Sequence, residues 1–360
     1  MIVIRPEKYK QLGESENCDF VLLTNSEFSD KFEISTENDY LSTKIIACDT
    51  PESFHDILDN QKLAHQTHFL VISPHVLFSS PPAEKIAEKC KIISMPCNST
   101  EIFLDDISYF LEKMELTDPD AQKAWADYFF DHIEESDHIQ FVDKKNGCEA
   151  VFLHDSDEYC WFEQLGRLSW GEQQFVPSGE ISVLPLFHGN YNAEKRLNIQ
   201  GEIALRGYPI VNSGSVSFLR EDQNKIFDAL EPLYEVPVIA TVEHGVITSL
   251  RSDIENHPAI VMLEKLFDID SRYRIIWEIG FGTNQDIDFQ KGNRSPNECY
   301  GGSNGTVHWG LGLTPWTQYH IDIICPDTVV YTSDEVMIAG EVKEKKSLRR
   351  VKSAGCPCIS

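Results

Sequence analysis

Residues 305–324, GTVHWGLGLTPWTQYHIDII, read as two β-strands joined by a short turn through Leu313–Thr317. Side chains alternate along a strand with period two, so His320 and Asp322 point to one face. An imidazole beside a carboxylate suits a divalent ion such as Zn, Mn, Co or Fe. A hydrogen-bonded His–Asp pair without metal has the same spacing. Upstream, His308 sits in a strand-like run among Gly305, Gly310 and Gly312. Glycine in a strand lets another backbone or a ligand approach closely. His308, His320 and Asp322 on adjacent strands can therefore converge on one ion.

Working outward, two glutamates occupy similar settings. Glu278 lies in the apolar run WEIGFGTN (277–284), and Glu180 opens the run in PSGEISVLP (177–185). A carboxylate buried in such a run is costly unless it is paired or bound to a cation. Either residue alone is read as a strand-edge carboxylate. Together with His308, His320 and Asp322 they form a candidate metal site, in which Glu180 or Glu278 doubles as general base.

The surrounding texture from about Cys148 is turn-rich, with short apolar runs at 150–153, 181–186, 216–219, 236–241, 275–279, 307–311, 321–324 and 328–331, and a helical 263–269. This pattern predicts a mostly antiparallel β domain. The first part of the chain alternates differently. Strand-like runs at 20–23, 44–47, 68–73 and 91–95 are interleaved with helical stretches at 51–60 and 83–90, and longer helices follow at 99–116 and 121–135. Alternation of that kind predicts an α/β layer with a partly parallel sheet. The expected fold class is α+β: an N-terminal α/β domain over 1–150, a β-rich domain carrying the site over 151–340, and a flexible basic tail over 341–360.

Bulk properties bound the function. A chain of 360 residues with 41% apolar content is long enough for two packed domains. The formal net charge of −27 disfavours nucleic acid and anionic membrane as partners. No apolar run reaches the ~18 residues a membrane span needs, and the N-terminus lacks the order of a signal peptide. A cytoplasmic location is expected. The ten cysteines are scattered without a CxxC pair and are expected as buried hydrophobes or free thiols. The tail holds six basic residues against two acidic ones and ends in Cys356-Pro357-Cys358-Ile359-Ser360. Its Cys-Pro-Cys suits a soft metal or a partner, or is incidental to an appendage. Of the other histidines, His65, His68, His132 and His138 lack a carboxylate at a persuasive spacing, His244 in Glu243-His244-Gly245 reads as a turn, and His188 follows the Glu180 strand closely enough to reach the site.

The order PSGEISVLP, WEIGFGTN, NECYGGSNGTVHWGLG, YHIDI resembles the aminopeptidase T/aminopeptidase S type of metallopeptidase, called leucyl aminopeptidase-like in many bacteria. It is also similar to the related iron-dependent 2,5-dihydroxypyridine dioxygenases. The resemblance covers about 170–340. It implies Glu180, Glu278, His308, His320 and Asp322 as ligands of two divalent ions (Zn, Co or Mn), or His308, His320 and Asp322 as holders of one Fe(II). It further implies a homodimer and a peptide or small-molecule substrate. The expected function is a metal-dependent aminopeptidase-like hydrolase. The alternatives are an Fe(II) ring-cleaving dioxygenase and a catalytically reduced peptide-binding protein of ribosomal peptide natural-product biosynthesis. One departure matters. His308 and His320 are only twelve residues apart, where the peptidases carry a long segment and a tyrosine. Tyr319 is the nearest candidate for that tyrosine.

Overall fold

The computed structural model describes residues 1–36, 40–58, 63–76, 78, 81, 86, 88–186, 194–314 and 316–341. The fold is α+β, as the patterning predicts, with a five-stranded parallel sheet, a small parallel pair of Ile2–Ile4 with Phe32–Ile34, and two larger antiparallel sheets. In the parallel sheet the strands lie in the order Glu172–Phe175, Cys90–Met95, Gln66–Ile72, Cys18–Thr24 and Ser42–Ala47. Both faces are covered, which is why its central strands are apolar without alternation. Phe20, Leu22, Leu70, Ile72 and Ile93 pack against Ile107, Phe110 and Met114 of the helix Leu104–Leu116. Val21, Leu23, Phe69 and Val71 pack against Phe54 and Leu58 of the helix Pro51–Leu58.

Beyond this layer the chain builds two antiparallel sheets. The six-stranded one runs Tyr208–Ser213, Tyr319–Cys325, Thr306–Leu311, Ile276–Gly282, Glu180–Pro185 and Tyr159–Gln164. The seven-stranded one includes Ile139–Asp143, Cys148–Phe152 and Ile199–Leu205. Their inner faces share one core, in which Phe141 packs edge-on to Trp309 with ring centroids 4.8 Å apart. The helix Pro119–Glu134 closes this core through Ala126, Phe129 and Ile133. Asp118 caps it by accepting from the Asp120 and Ala121 amides, and Pro119 occupies the first turn. The chain passes between the layers more than once. Ile139–Asp143 already lies in an antiparallel sheet, whereas Glu172–Phe175 returns to the edge of the parallel one.

Three local expectations change. The run 216–219 is a turn, with Val216 and Leu219 exposed, and it leads into an unanticipated helix, Arg220–Leu230. That helix buries Gln223, Ile226 and Leu230, a helical spacing hidden by its polar composition. The helix expected from residue 99 starts at Leu104, where the Phe103 amide donates to Asp106 Oδ2 at 2.7 Å. The helical reading of 83–90 falls largely outside the described residues, and Cys90 opens a strand. The described cysteines form no disulfide. No helix among the described residues is long and apolar enough to cross a membrane.

The shared core makes a prediction. Phe281 is fully buried and lies 4.8 Å, centroid to centroid, from Phe129. Phe281→Ala should destabilise the protein by about 3–5 kcal/mol, whereas Val216→Ser at its exposed turn should stay within ~0.5 kcal/mol. Urea unfolding followed by circular dichroism measures both.

Candidate metal centre

The site follows from strand register. Glu180 pairs with Gly282, Gly280 with His308, and Gly310 with both Glu278 and Asp322. Directly paired residues share a face, and so do residues two apart. Glu180, Glu278, His308, His320 and Asp322 therefore all project from the same side of the six-stranded sheet. The intervening Ile279, Phe281, Trp309, Ile321 and Ile323 project from the other side into the shared core. One register thus serves both faces, and a slip by one residue would exchange them.

Glycines make room on the ligand face. A Cβ on Gly280 would overlap the His308 ring, so that ring lies flat across the neighbouring strand. A Cβ on Gly310 would sit 2.7 Å from Glu278 Cβ and 2.9 Å from His320 Cε1. A Cβ on Gly282 would meet the Tyr300 carbonyl at 2.5 Å and the Glu298 carbonyl at 2.8 Å. The backbone carrying Glu298 can lie over the sheet only because Gly282 is bare.

Glu298 is a sixth donor that sequence reasoning missed. It belongs to the short 3-10 helix Ser295–Cys299. This turn is held by Asn297, which donates to the Gln290 carbonyl at 2.8 Å and accepts from the Gln290 amide at 2.9 Å. The Asn284 amide donates to the Cys299 carbonyl at 3.0 Å. Thr100, from the loop leading out of the parallel sheet, donates to Ser295 Oγ at 3.3 Å. The only signal was its place within NECYGGSNGTVHWGLG, because a loop residue has no periodicity to give its direction.

The donors lie close together. Three sets each bring one ligand atom per residue within 4.8 Å of one another: Glu180/Glu278/His308, Glu278/His320/Asp322 and Glu298/His308/Asp322. His320 Nε2 is 2.8 Å from Asp322 Oδ1 and 3.2 Å from Glu278 Oε2, and its Nδ1 donates to the Gly312 carbonyl at 2.7 Å. That bond leaves Nε2 to face the carboxylates. His308 is fully buried, neither ring nitrogen has a hydrogen-bond partner among the described residues, and Nε2 lies 3.6 Å from Glu180 Oε1.

Electrostatics reports the crowding. Burial, then the charges of Glu298, Glu278 and Asp322, push the Glu180 carboxyl well above its usual range. Burial, then Asp322 and Glu278, do the same to Glu298. Burial opposes ionisation of Glu278 too, yet hydrogen bonding and charge from His320 leave it below its usual value. Burial disfavours the His320 imidazolium, but Asp322 and Glu278 outweigh it and raise that group. His308 is lowered, first by burial. Four carboxylates, Glu278 and Asp322 buried and Glu180 and Glu298 partly so, face two imidazoles, a set of groups that could hold a divalent cation.

The remaining sequence candidates fall elsewhere. The Tyr319 hydroxyl donates to the Leu219 carbonyl at 3.0 Å, on the face opposite His320, so it does not supply the tyrosine of the resemblance. Trp316 packs on the cluster of Ile275, Trp277 and Leu313. His68 accepts or donates to the Tyr40 hydroxyl at 2.9 Å in the parallel-sheet layer. His132 bonds the Tyr128 carbonyl, and His244 sits in a turn at φ 49°. His188, Pro315 and the Cys-Pro-Cys tail lie outside the described residues.

Two predictions follow from this geometry. Gly280→Ala should displace His308 and lower bound divalent metal severalfold with circular dichroism unchanged, as mass spectrometry of the purified variant can read. With cations removed, Glu180 and Glu298 hold protons in the folded state where an unfolded glutamate, of pKa about 4.3, is already ionised. The folded state then binds more protons, so stability falls as pH rises above about 4. Thermal unfolding in chelator should show a declining Tm toward neutral pH, and saturating Mn or Zn should flatten the decline. A Tm that climbs in chelator over the same range contradicts this.

No family model matches the chain, and no curated protein matches it. Among solved structures it is similar to 2,5-dihydroxypyridine dioxygenase from Pseudomonas putida KT2440, with a TM-score of 0.53 and 14% identity, over 93% of this chain and 94% of that one. It is also similar to AmpT from Thermus thermophilus, with a TM-score of 0.46 and 11% identity, over 91% of this chain and 93% of that one. At these values the likeness to the dioxygenase establishes a shared fold across most of the chain and no activity, and the likeness to AmpT carries no argument.

Proposed function

We propose that the protein is a metal-dependent hydrolase of the aminopeptidase type, acting on a peptide or amide bond at a centre formed by Glu180, Glu278, Glu298, His308, His320 and Asp322. The observation that carries this reading is the number of donors gathered in one place. Six residues fall into three overlapping donor sets, with Glu278, His308 and Asp322 each in two of them, which is more than a single divalent ion would need from the protein.

A cation bound there supplies a Lewis acid for the substrate carbonyl and lowers the pKa of water. The protein's own residues do the rest. Glu278, held ionised beside His320, acts as a ligand. Glu180 Oε1 lies 3.6 Å from His308 Nε2, at the edge of the centre, where its carboxylate would act as the general base. The Gly312 carbonyl fixes the His320 ring. Asn212 Nδ2 donates to Asp322 Oδ2 at 2.9 Å and holds that carboxylate.

A second reading uses a subset of the same residues. His308, His320 and Asp322 lie on two adjacent strands and make a two-histidine, one-carboxylate set for Fe(II). Three further glutamates around such a set favour the hydrolase, because they supply more negative charge than one ion needs.

The test is direct. The purified chain should carry stoichiometric divalent metal and hydrolyse aminoacyl anilides when supplied with Co, Zn or Mn. Glu180→Gln should lower kcat by about 10²–10⁴-fold while metal is retained, and Glu278→Gln should release metal. A chain that binds no metal and shows no turnover sinks the proposal. Oxygen uptake dependent on Fe(II) would replace it with the second reading, and peptide binding without turnover by a metal-loaded chain would leave a binding protein.

A further inference from the structure

The six donors of the centre are held in two different ways. Glu278, His308, His320 and Asp322 lie within paired strands, and register fixes them. Glu180 is the first residue of its strand, and Glu298 lies on a turn outside the sheet. Asn284 stands between the segments that carry these two. Its side-chain Nδ2 donates to the Ser178 carbonyl at 2.7 Å, just before Glu180, and to Thr117 Oγ1 at 3.0 Å. Its Oδ1 accepts from the Asp286 amide at 2.9 Å, which sets the orientation of the side-chain amide. Its backbone amide donates to the Cys299 carbonyl at 3.0 Å, next to Glu298, and its carbonyl accepts from the Gly301 amide at 3.0 Å. Gly179 permits the close approach, since a Cβ there would lie 2.6 Å from Asn284 Cβ. Asn284 is buried, so solvent does not readily replace a bond it loses.

We propose that Asn284 is a positioning residue that ties Glu180 to Glu298 and thereby divides the centre into two parts. The proposal rests on the metal centre of the preceding subsection and on no particular reaction there. One part is the set Glu278/His320/Asp322, whose members all come from paired strands. The other two sets, Glu180/Glu278/His308 and Glu298/His308/Asp322, each contain one carboxylate whose place depends on Asn284. Side chain and backbone have separate tasks. The side chain fastens residue 284 to the segment before Glu180 and to Thr117, the C-terminal cap of the helix Leu104–Leu116. The backbone then carries the turn that bears Glu298. Gln122 also donates to the Ser178 carbonyl, at 2.9 Å, so the segment before Glu180 keeps an anchor when the Asn284 side chain is removed. The turn keeps its backbone bonds, but they lead to an unfastened residue. The loss therefore falls on the spacing between the two carboxylates and spares the strands. Bonds of this kind, one step out from the ligands, orient them, and breaking one weakens metal binding by about 10–100-fold.

The test titrates Co(II) calorimetrically into the full-length chain freed of metal, with visible absorption recording the surroundings of each ion. The wild-type chain should take two ions. Asn284→Ala should weaken one of them by about 10–100-fold and leave the other within about 3-fold, with its absorption band retained. Asn284→Asp keeps the shape of the side chain but sets an acceptor against the Ser178 carbonyl, and should show the same one-sided loss. Ile133→Ala, in the core beneath the helix Pro119–Glu134, should lower Tm at least as far and leave both ions bound as in the wild type. That comparison separates positioning from a general loss of stability. Asn284 variants that bind both ions normally overturn the proposal, as does a loss shared equally by the two ions or matched by Ile133→Ala. A wild-type chain that takes a single ion overturns it too and leaves the metal centre standing. If the chain takes no cobalt, the metal-centre reading fails and this proposal falls with it. Cobalt binding as described by a chain that hydrolyses no aminoacyl anilide sinks the hydrolase reading alone, because no step of the titration uses turnover.

Discussion

The alternation of side chains across three adjacent strands, Ile276–Gly282, Thr306–Leu311 and Tyr319–Cys325, is the constraint on which the rest depends. Each strand must deliver its large apolar residues to the core between the two antiparallel sheets. Trp309, Phe281 and Ile321 satisfy that demand, and doing so commits Glu278, His308, His320 and Asp322 to the opposite face. Hydrophobic burial, the dominant favourable term in folding, thereby holds in place a cluster of charges that repel one another.

That repulsion is tolerated because the cluster is arranged rather than diluted. Glycines at 280 and 310 let His308, Glu278 and His320 lie against bare backbone, which brings the donors within reach of one another. His320 is tied by Gly312, and Asp322 by Asn212. Glu180 and Glu298 carry the remaining strain, with burial and neighbouring charge both acting against their ionised forms. A divalent cation relieves both terms at once, which is why the same geometry that is costly when bare fits a metal centre.

The N-terminal layer contributes indirectly. Its parallel sheet ends in the segment that carries Thr100, and Thr100 contacts Ser295 on the turn that bears Glu298. The sixth donor is therefore positioned by a part of the chain distant in sequence. The helix Arg220–Leu230 plays a comparable part on the other side, where Gln223 donates to the Val211 carbonyl, next to Asn212 on the edge strand. Both supports join residues far apart in the chain, and neither has a motif of its own.

What the sequence determined by itself was whatever depends on local periodicity. Period-two runs with interspersed glycines marked the strands at 181–186, 275–279, 307–311 and 321–324, and with them five residues that the structure gathers on one face. Unbroken apolar runs at 20–23, 68–73 and 91–95 marked a sheet covered on both sides. Periodicity failed where the chain had none to show. Glu172–Phe175 is a polar edge strand with one buried residue, Gln174; Arg220–Leu230 conceals three inward positions among charges; and Val216–Leu219, apolar but exposed, imitated a strand. Tertiary structure alone decided that Glu298 joins the candidate centre, that Tyr319 turns away from it, and that Asn212 stands beside it, bonded to Asp322. The physical reason is the same for all three. Their placement comes from loop packing and from pairing between distant strands, neither of which leaves a repeat in the local sequence.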